Sequence, residues 1–322
     1  MECEKNTLSI DDFRILKTIG TGTFGRVKLV KLKGNDKMPP FALKILKKKL
    51  IVKYNQVEHV KSEKLVLSKI KHPFIVSFFV SFQDETFIYF LFEYICGGEL
   101  FTLLRQQIKF EGEVIKFYSS QIVLCLEYLH GSNIAYRDIK PENILIDRKG
   151  YLKLTDFGFA KIILERSYTM CGTPEYMAPE VIRHSEGHNW NVDWWSFGVF
   201  LFEMAEGSPP FCDENPIIIY QKILIGKFSF NRCNNRKLKN LIEKLLREVD
   251  KRLGRKAGTK DIKAHGFYKK LSWIDIYNKT IPPPWIPVVE SREDTQYFCE
   301  YLDTDEASIA SSVDLSQAFS GF

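Results

Sequence analysis

Ile19-Gly20-Thr21-Gly22-Thr23-Phe24-Gly25-Arg26-Val27 runs straight into the strand-like Val27-Lys28-Leu29-Val30-Lys31-Leu32. No other feature restricts the fold as much. On its own a G-x-G-x-x-G pattern fits a phosphate loop, an ordinary glycine-rich turn or the head of a dinucleotide fold. A dinucleotide fingerprint opens a helix, so the strand that follows excludes that choice. With Phe13 and Ile15 alternating before the loop and Val27 and Leu29 after it, two strands are expected, joined by a hairpin folded over phosphates. The glycines let backbone N–H groups approach phosphate oxygens that side chains would hold away.

Phe41-Ala42-Leu43-Lys44-Ile45-Leu46 then sets one lysine in an apolar strand. Such a lysine either snorkels from an edge strand or needs an anionic partner. The helical segment from Val57 to Ile70, closed before His72-Pro73, offers Glu58 and Glu63. Phe87-Ile88-Tyr89-Phe90-Leu91-Phe92 reads as a buried strand ending at Glu93-Tyr94-Ile95-Cys96-Gly97-Gly98. Beyond it the period changes. Val114, Phe117, Tyr118, Ile122, Leu126 and Leu129 mark a helix from Glu113 to His130, with Gly131 placed as its C-terminal cap.

A chain of 322 residues, 45% hydrophobic, can fill a large core. Its net charge of +6 is modest, and the Lys and Arg residues read as spread along the chain, which argues against a nucleic-acid binder. Seven cysteines without a C-x-x-C pair indicate neither a disulfide framework nor a zinc site and fit a reducing, intracellular compartment. No apolar run reaches the ~18 residues of a membrane span, and no glycine at position 2 permits myristoylation, so no membrane anchor is expected.

Tyr136-Arg137-Asp138-Ile139-Lys140-Pro141-Glu142-Asn143 gathers an acid, two cations and an amide, and Asp156-Phe157-Gly158 follows a short strand, Tyr151 to Thr155. The first stretch resembles the catalytic loop H-R-D-x-x-x-x-N of protein kinases, with Tyr136 in place of His, a variant of the cyclic-AMP-dependent branch of the AGC group. The resemblance runs from about Phe13 to the end. It implies an α+β, two-lobed protein kinase fold with a small β-rich N-lobe, a larger helical C-lobe and an AGC-type C-terminal tail. The expected divisions are a short segment 1–12, a kinase domain 13–267 with lobes at 13–95 and 96–267, and a tail 268–322.

The same resemblance assigns roles. ATP would lie under Ile19 to Val27, against the backbone of Glu93 and Ile95, with Phe92 behind, Glu99 near the ribose and Phe298 at the adenine. Lys44 would hold phosphates and Glu63 would hold Lys44. Asp138 would accept the substrate proton, Lys140 would neutralise the γ-phosphoryl group, and Asn143 and Asp156 would hold Mg²⁺. Thr169, within Ser167-Tyr168-Thr169-Met170-Cys171-Gly172-Thr173-Pro174-Glu175-Tyr176, matches an activating phosphosite, with Arg137, Lys161 and His59 as its cations. Glu99, Glu142, Glu175 and Glu203 would read arginines upstream of the target, with Met170, Pro174 and Met177 forming an apolar pocket after it. Glu180 and Arg252 would form a buried ion pair. Phe319 to Phe322 would dock beside the helix bearing Glu63. The implied partners are protein substrates with basic motifs and a cyclic-AMP-binding regulatory subunit, in the cytoplasm and also the nucleus. The rivals are a cyclic-GMP-dependent or lipid-regulated AGC kinase and a pseudokinase scaffold. Against the scaffold stands the presence together of Lys44, Asp138, Asn143 and Asp156.

Overall fold

The computed structural model describes residues 8–184, 187–301 and 315–322. Strands β1 (Phe13–Gly22), β2 (Gly25–Leu32) and β3 (Phe41–Lys47) lead into helices α1 (Lys48–Lys53) and α2 (Val57–Leu67), then into β4 (Phe78–Gln83) and β5 (Phe87–Glu93). They make one antiparallel sheet in the order β1-β2-β3-β5-β4. The unbroken apolar run of β5 follows from its inner position, where both faces are covered. Tyr89 and Leu91 join Phe13, Val30, Phe41, Leu43 and Phe82 on one face. Ile88 and Phe90, one residue out of step, pack toward α2 and the helical lobe.

Past the linker lie α3 (Leu100–Gln107), α4 (Gly112–Gly131), the short strands β6 (Ile134–Ala135), β7 (Ile144–Ile146), β8 (Leu152–Leu154) and β9 (Lys161–Ile162), and helices α5 (Pro179–Arg183), α6 (Val192–Glu206), α7 (Pro216–Ile225) and α8 (Arg236–Leu245). Every residue of α6 is buried, as expected of a helix that is apolar nearly all round. Gly131 does not cap α4. It is the last helical residue, Ser132 caps, and Asn133 takes the left-handed turn at φ 57°. Asparagine tolerates that conformation, so the glycine was not needed for it.

The Arg252 guanidinium is fully buried and grips Glu180 with two bonds of 2.6 and 2.8 Å, fixing the first turn of α5 to the helical core. After residue 280 the proline-rich strap runs without helix over the β7–β8 hairpin. A Cβ on Gly150 would lie 2.2 Å from the Trp285 carbonyl, so only glycine allows the crossing. The chain end returns to the N-lobe: Phe319 is fully buried, its carbonyl accepts from Gln83 at 3.0 Å, and Lys64 of α2 donates to the Gly321 carbonyl. The Ser-rich stretch between Tyr301 and Leu315 lies outside the described residues.

Candidate active site

The hairpin register pairs Gly22 with Gly25 and leaves Thr23-Phe24 as a two-residue turn. Its three glycines differ in kind. A Cβ on Gly20 or Gly22 would meet nothing closer than 3.6 Å, leaving that backbone open to a ligand. A Cβ on Gly25 would sit 1.8 Å from the Ile45 carbonyl, so this glycine is required by strand packing. The Phe24 ring rests edge-on to Tyr54 at 6.0 Å.

Pairing of β3 with both β2 and β5 fixes Lys44 opposite Val27 and Phe90. Its Nζ donates to Glu63 at 2.7 Å and to Asp156 at 3.3 Å, joining α2, the sheet and the helical lobe at one cation. Glu58 instead faces solvent and pairs with Lys61. Burial alone would lower the Lys44 pKa, but Asp156 and Glu63 outweigh it and raise it. Lys44 in turn holds the Asp156 carboxyl below its ordinary range. The Asp156 side chain keeps about half its surface exposed.

The β7–β8 hairpin brings the two motifs together. Ile144 pairs with Leu154, and Thr155 N donates to the Asn143 carbonyl at 2.9 Å, so Asp156 leaves the hairpin beside Asn143. Asn143 Nδ2 donates to Asp138 at the carboxylate (2.6 Å) and carbonyl (2.9 Å). Lys140 Nζ lies 3.1 Å from Asp138 Oδ2 and donates to Thr173 Oγ1 at 2.7 Å. That same threonine donates its hydroxyl to Asp138 Oδ1 at 2.8 Å. The buried Asp138 carboxylate is thus already the acceptor of an alcohol, between a cation and an amide.

The loop's anchor is Asp193, fully buried at the start of α6, which accepts from Tyr136 N at 2.9 Å and Arg137 N at 2.7 Å and meets His130 Nε2 at 2.8 Å. These bonds hold Arg137 at φ 69°, while Asp156 sits at φ 51°; strained positions of this sort collect at functional sites. Tyr136 takes the place where a histidine was expected by packing edge-on against the buried Phe157 ring and donating to the Thr155 carbonyl.

Arg137 and Lys161 both point at the Ser167 hydroxyl, at 3.2 and 3.4 Å. Thr169 is half-buried, two residues on. Burial lowers the pKa of His59, and the nearby charges of Arg137 and Lys161 lower it further, so two cations and an imidazole held toward its neutral form converge from three elements.

The four glutamates also draw together. Burial raises the pKa of Glu99 and Glu142, and each senses its acidic neighbours. Glu142 Oε2 is buried with no hydrogen-bond partner among the described residues. Burial pushes Glu203 up to about 7 against the pull of Arg105, with Glu142 and Glu175 adding to the rise. Arg105 NH2 sits 2.5 Å from Glu203 Oε1, and the Tyr176 hydroxyl donates to Oε2. Of the three apolar candidates, Met170 is exposed and Pro174 half-buried, but Met177 lies beneath Gly172 in the core.

At the linker, Glu93 accepts from Lys153 at 2.5 Å and from Ser77 N and Oγ, which ties its side chain away. Phe298 lies against Tyr94 at 5.9 Å, and the Tyr94 hydroxyl donates to the Asp294 carbonyl. Sequence reasoning did not name Arg105, and gave neither Thr173 nor Asp193 a role.

A model of the protein kinase domain matches residues 13–268. The chain is 49% identical over 298 residues to cAMP-dependent protein kinase catalytic subunit 3 of Drosophila melanogaster, covering 92% of this chain and 51% of that one. It is 47% identical over 305 residues to the human cAMP-dependent protein kinase catalytic subunit PRKX, covering 94% and 84%. Against cAMP-dependent protein kinase type 3 of Saccharomyces cerevisiae it is 43% identical over 300 residues, covering 92% and 75%. It therefore spans about half the length of the fly relative and most of the human one.

Proposed function

The chain belongs to the protein kinase family, in the AGC group with the cyclic-AMP-dependent catalytic subunits, and from that premise we propose that it transfers the γ-phosphoryl group of ATP to serine and threonine hydroxyls in proteins. The observation that carries this reading is the Thr173 hydroxyl donated to Asp138 beside Lys140 and Asn143. An alcohol, a buried carboxylate and a cation already occupy the relation that a substrate hydroxyl requires.

Protein kinases as a family use ATP with Mg²⁺. Asn143 and Asp156 fit the metal: both offer oxygen, Asp156 stays ionised beside Lys44, and its half-exposed carboxylate leaves room for a further cation. Bound magnesium supplies charge neutralisation on the phosphate oxygens. Lys44, steadied by Glu63, holds the α- and β-phosphates under the open backbone of Gly20 and Gly22, with Ile19, Val27, Glu93, Ile95 and Phe298 around the base and ribose. Asp138 takes the hydroxyl proton as that oxygen bonds the γ-phosphorus and the bridge to the β-phosphate breaks, releasing ADP. Lys140 offsets the charge that develops on the transferred group.

Glu99, Glu142, Glu175 and Glu203 receive the guanidinium groups of upstream arginines; the unpartnered Glu142 Oε2 supports this. Phosphorylated Thr169 draws on Arg137, Lys161 and His59. The names of the relatives and the exposed Tyr168 ring support control by a cyclic-AMP-binding regulatory subunit, and the free thiols suit cytoplasm and nucleus. Transfer of labelled γ-phosphate to peptides tests the reading: R-R-x-S-Φ should exceed A-A-x-S-Φ by about 10²- to 10⁴-fold, since two charge-assisted contacts are worth about 3 to 6 kcal/mol. Equal efficiency would refute the specificity, and no transfer to any peptide would refute the activity.

A further inference from the structure

The cations of this chain are not evenly placed. Between Arg236 and Lys270 stand 13 Lys and Arg against 4 Asp and Glu, a local excess of nine in a chain whose net charge is +6. Outside that window the protein is net negative. The window folds as α8 and the turns and short helix after it. α8 buries Leu238, Leu241, Ile242 and Leu245, which leaves its charged face outward.

Along that face runs an open cleft of about 530 Å³, floored by Leu253 and Ala264 and lined by Arg236, Lys237, Lys244 and His265. Arg236 and Lys237 occupy the first turn of α8, which holds no acidic residue, although the helix dipole disfavours cations there. No ion pair holds Arg236, Lys237 or Lys244 among the described residues. The one carboxylate in the cleft, Asp261, is taken by the Ala257 N–H at 3.1 Å. His265 is fixed by the Phe267 N–H on Nδ1 and by Asn240 at Nε2; burial lowers its pKa and the Lys244 charge adds to this. Three cations in one concave site, two of them set against the helix dipole and faced by a single carboxylate, leave a net positive cleft in which local helix preference yields to another demand.

We propose that this cleft docks an acidic segment of a partner protein, a run of Asp and Glu side chains, on the helical lobe away from the catalytic loop. The charge plan favours that occupant. The glutamate cluster at the candidate active site suits a basic target sequence, and the α8 cleft suits an acidic stretch elsewhere on the same substrate. A protein carrying both would bind at two points and gain effective concentration at Asp138. A concave site with an apolar floor also fits a peptide better than a flat membrane surface.

The test uses a fluorescein-labelled alternating Asp-Glu peptide and the full chain. Arg236→Glu/Lys237→Glu/Lys244→Glu should weaken peptide binding about tenfold or more, because exposed charge contacts contribute a few-fold each and multiply. Lys37→Glu/Lys69→Glu/Lys71→Glu, the same charge change at exposed N-lobe positions, should not weaken it, and both variants should phosphorylate a short R-R-x-S-Φ peptide like the parent. The milder Lys237→Ala/Lys244→Ala should lose about threefold if the cleft variant folds poorly. Equal loss in the control variant, or unchanged binding in the milder one, overturns the proposal. So does binding of single-stranded RNA or phosphatidylserine vesicles without binding of the peptide.

Discussion

Lys44–Glu63 and Arg252–Glu180 are both close ion pairs, at 2.7 and 2.6 Å, but they are finished differently. Arg252 is fully buried and spends its donors on Glu180, the Asn191 carbonyl and the Arg247 carbonyl, with its guanidinium 5.4 Å from the Trp195 ring. Lys44 keeps about a fifth of its side chain exposed and divides itself between Glu63 and Asp156, the latter at 3.3 Å and half open to solvent. A saturated pair has nothing left to offer a ligand, and it holds architecture. An unsaturated one retains attraction for phosphate, and it serves chemistry.

The sharpest way to test that division is to remove a group on each side of it. Asp138→Ala should lower phosphoryl transfer by about 10²- to 10⁴-fold, the range for a lost general base, with ATP affinity and melting temperature little changed. Single-turnover transfer near the parent rate would break the assignment. Arg252→Ala should do the opposite. Leaving the largely covered Glu180 carboxylate unpaired costs about 3 to 5 kcal/mol, read as a fall in the urea midpoint, with transfer per folded molecule preserved. Arg252→Ala/Glu180→Ala should cost less than the two single changes added together, since no lone charge remains.

The tail lies between these extremes, since it is architecture that touches the catalytic helix. Phe319 is fully buried, Lys64 lies 4.5 Å from the Phe322 ring, and Glu63 is its neighbour on α2. Deleting Phe319 to Phe322 should cost about 1.5 to 3 kcal/mol of stability and lower activity through a looser Glu63. Deleting Met1 to Thr7, which lie outside the described residues, should change activity little. Equal melting temperatures and rates for the two truncations would show that the docked end does not support the site.

How much of this was legible follows distance along the chain. The catalytic loop was readable because its acid, cations and amide are contiguous, and the two lobes were readable from the change of period near Gly97. Gly25 was read with the other loop glycines as opening space for phosphate, yet its packing against Ile45 sets it apart, a contact between strands that no local pattern encodes. Asp193 did carry a signal: an acid followed by two tryptophans in an apolar helix must find donors if buried. Thr173 and Arg105 carried none, because their partners lie 35 and 98 residues away. The cations were read as evenly spread because they were counted over the whole chain rather than by segment.

The smallest effect bears on the glutamate cluster, where the line between architecture and binding runs through one side chain. Glu203 is more deeply buried than Glu180, but only one of its oxygens meets a cation, Arg105, whose side chain is 40% exposed and able to yield to a substrate guanidinium. With its pKa pushed up to about 7, chiefly by burial, Glu203 is ionised above that value and loses its charge as the pH falls through it. Recognition of an upstream arginine should therefore weaken on acidification. The KM for R-R-x-S-Φ should rise a few-fold between about pH 8 and pH 6, while A-A-x-S-Φ changes little. An arriving guanidinium should also lower the Glu203 pKa. Calorimetry of peptide binding near pH 6.5 in two buffers of different ionisation enthalpy should then show proton release. Glu203→Gln should flatten the KM profile and abolish that release. A parent enzyme whose two peptides keep a constant KM ratio across this range would assign Glu203, with Arg105 and Tyr176, to the fold rather than to the substrate.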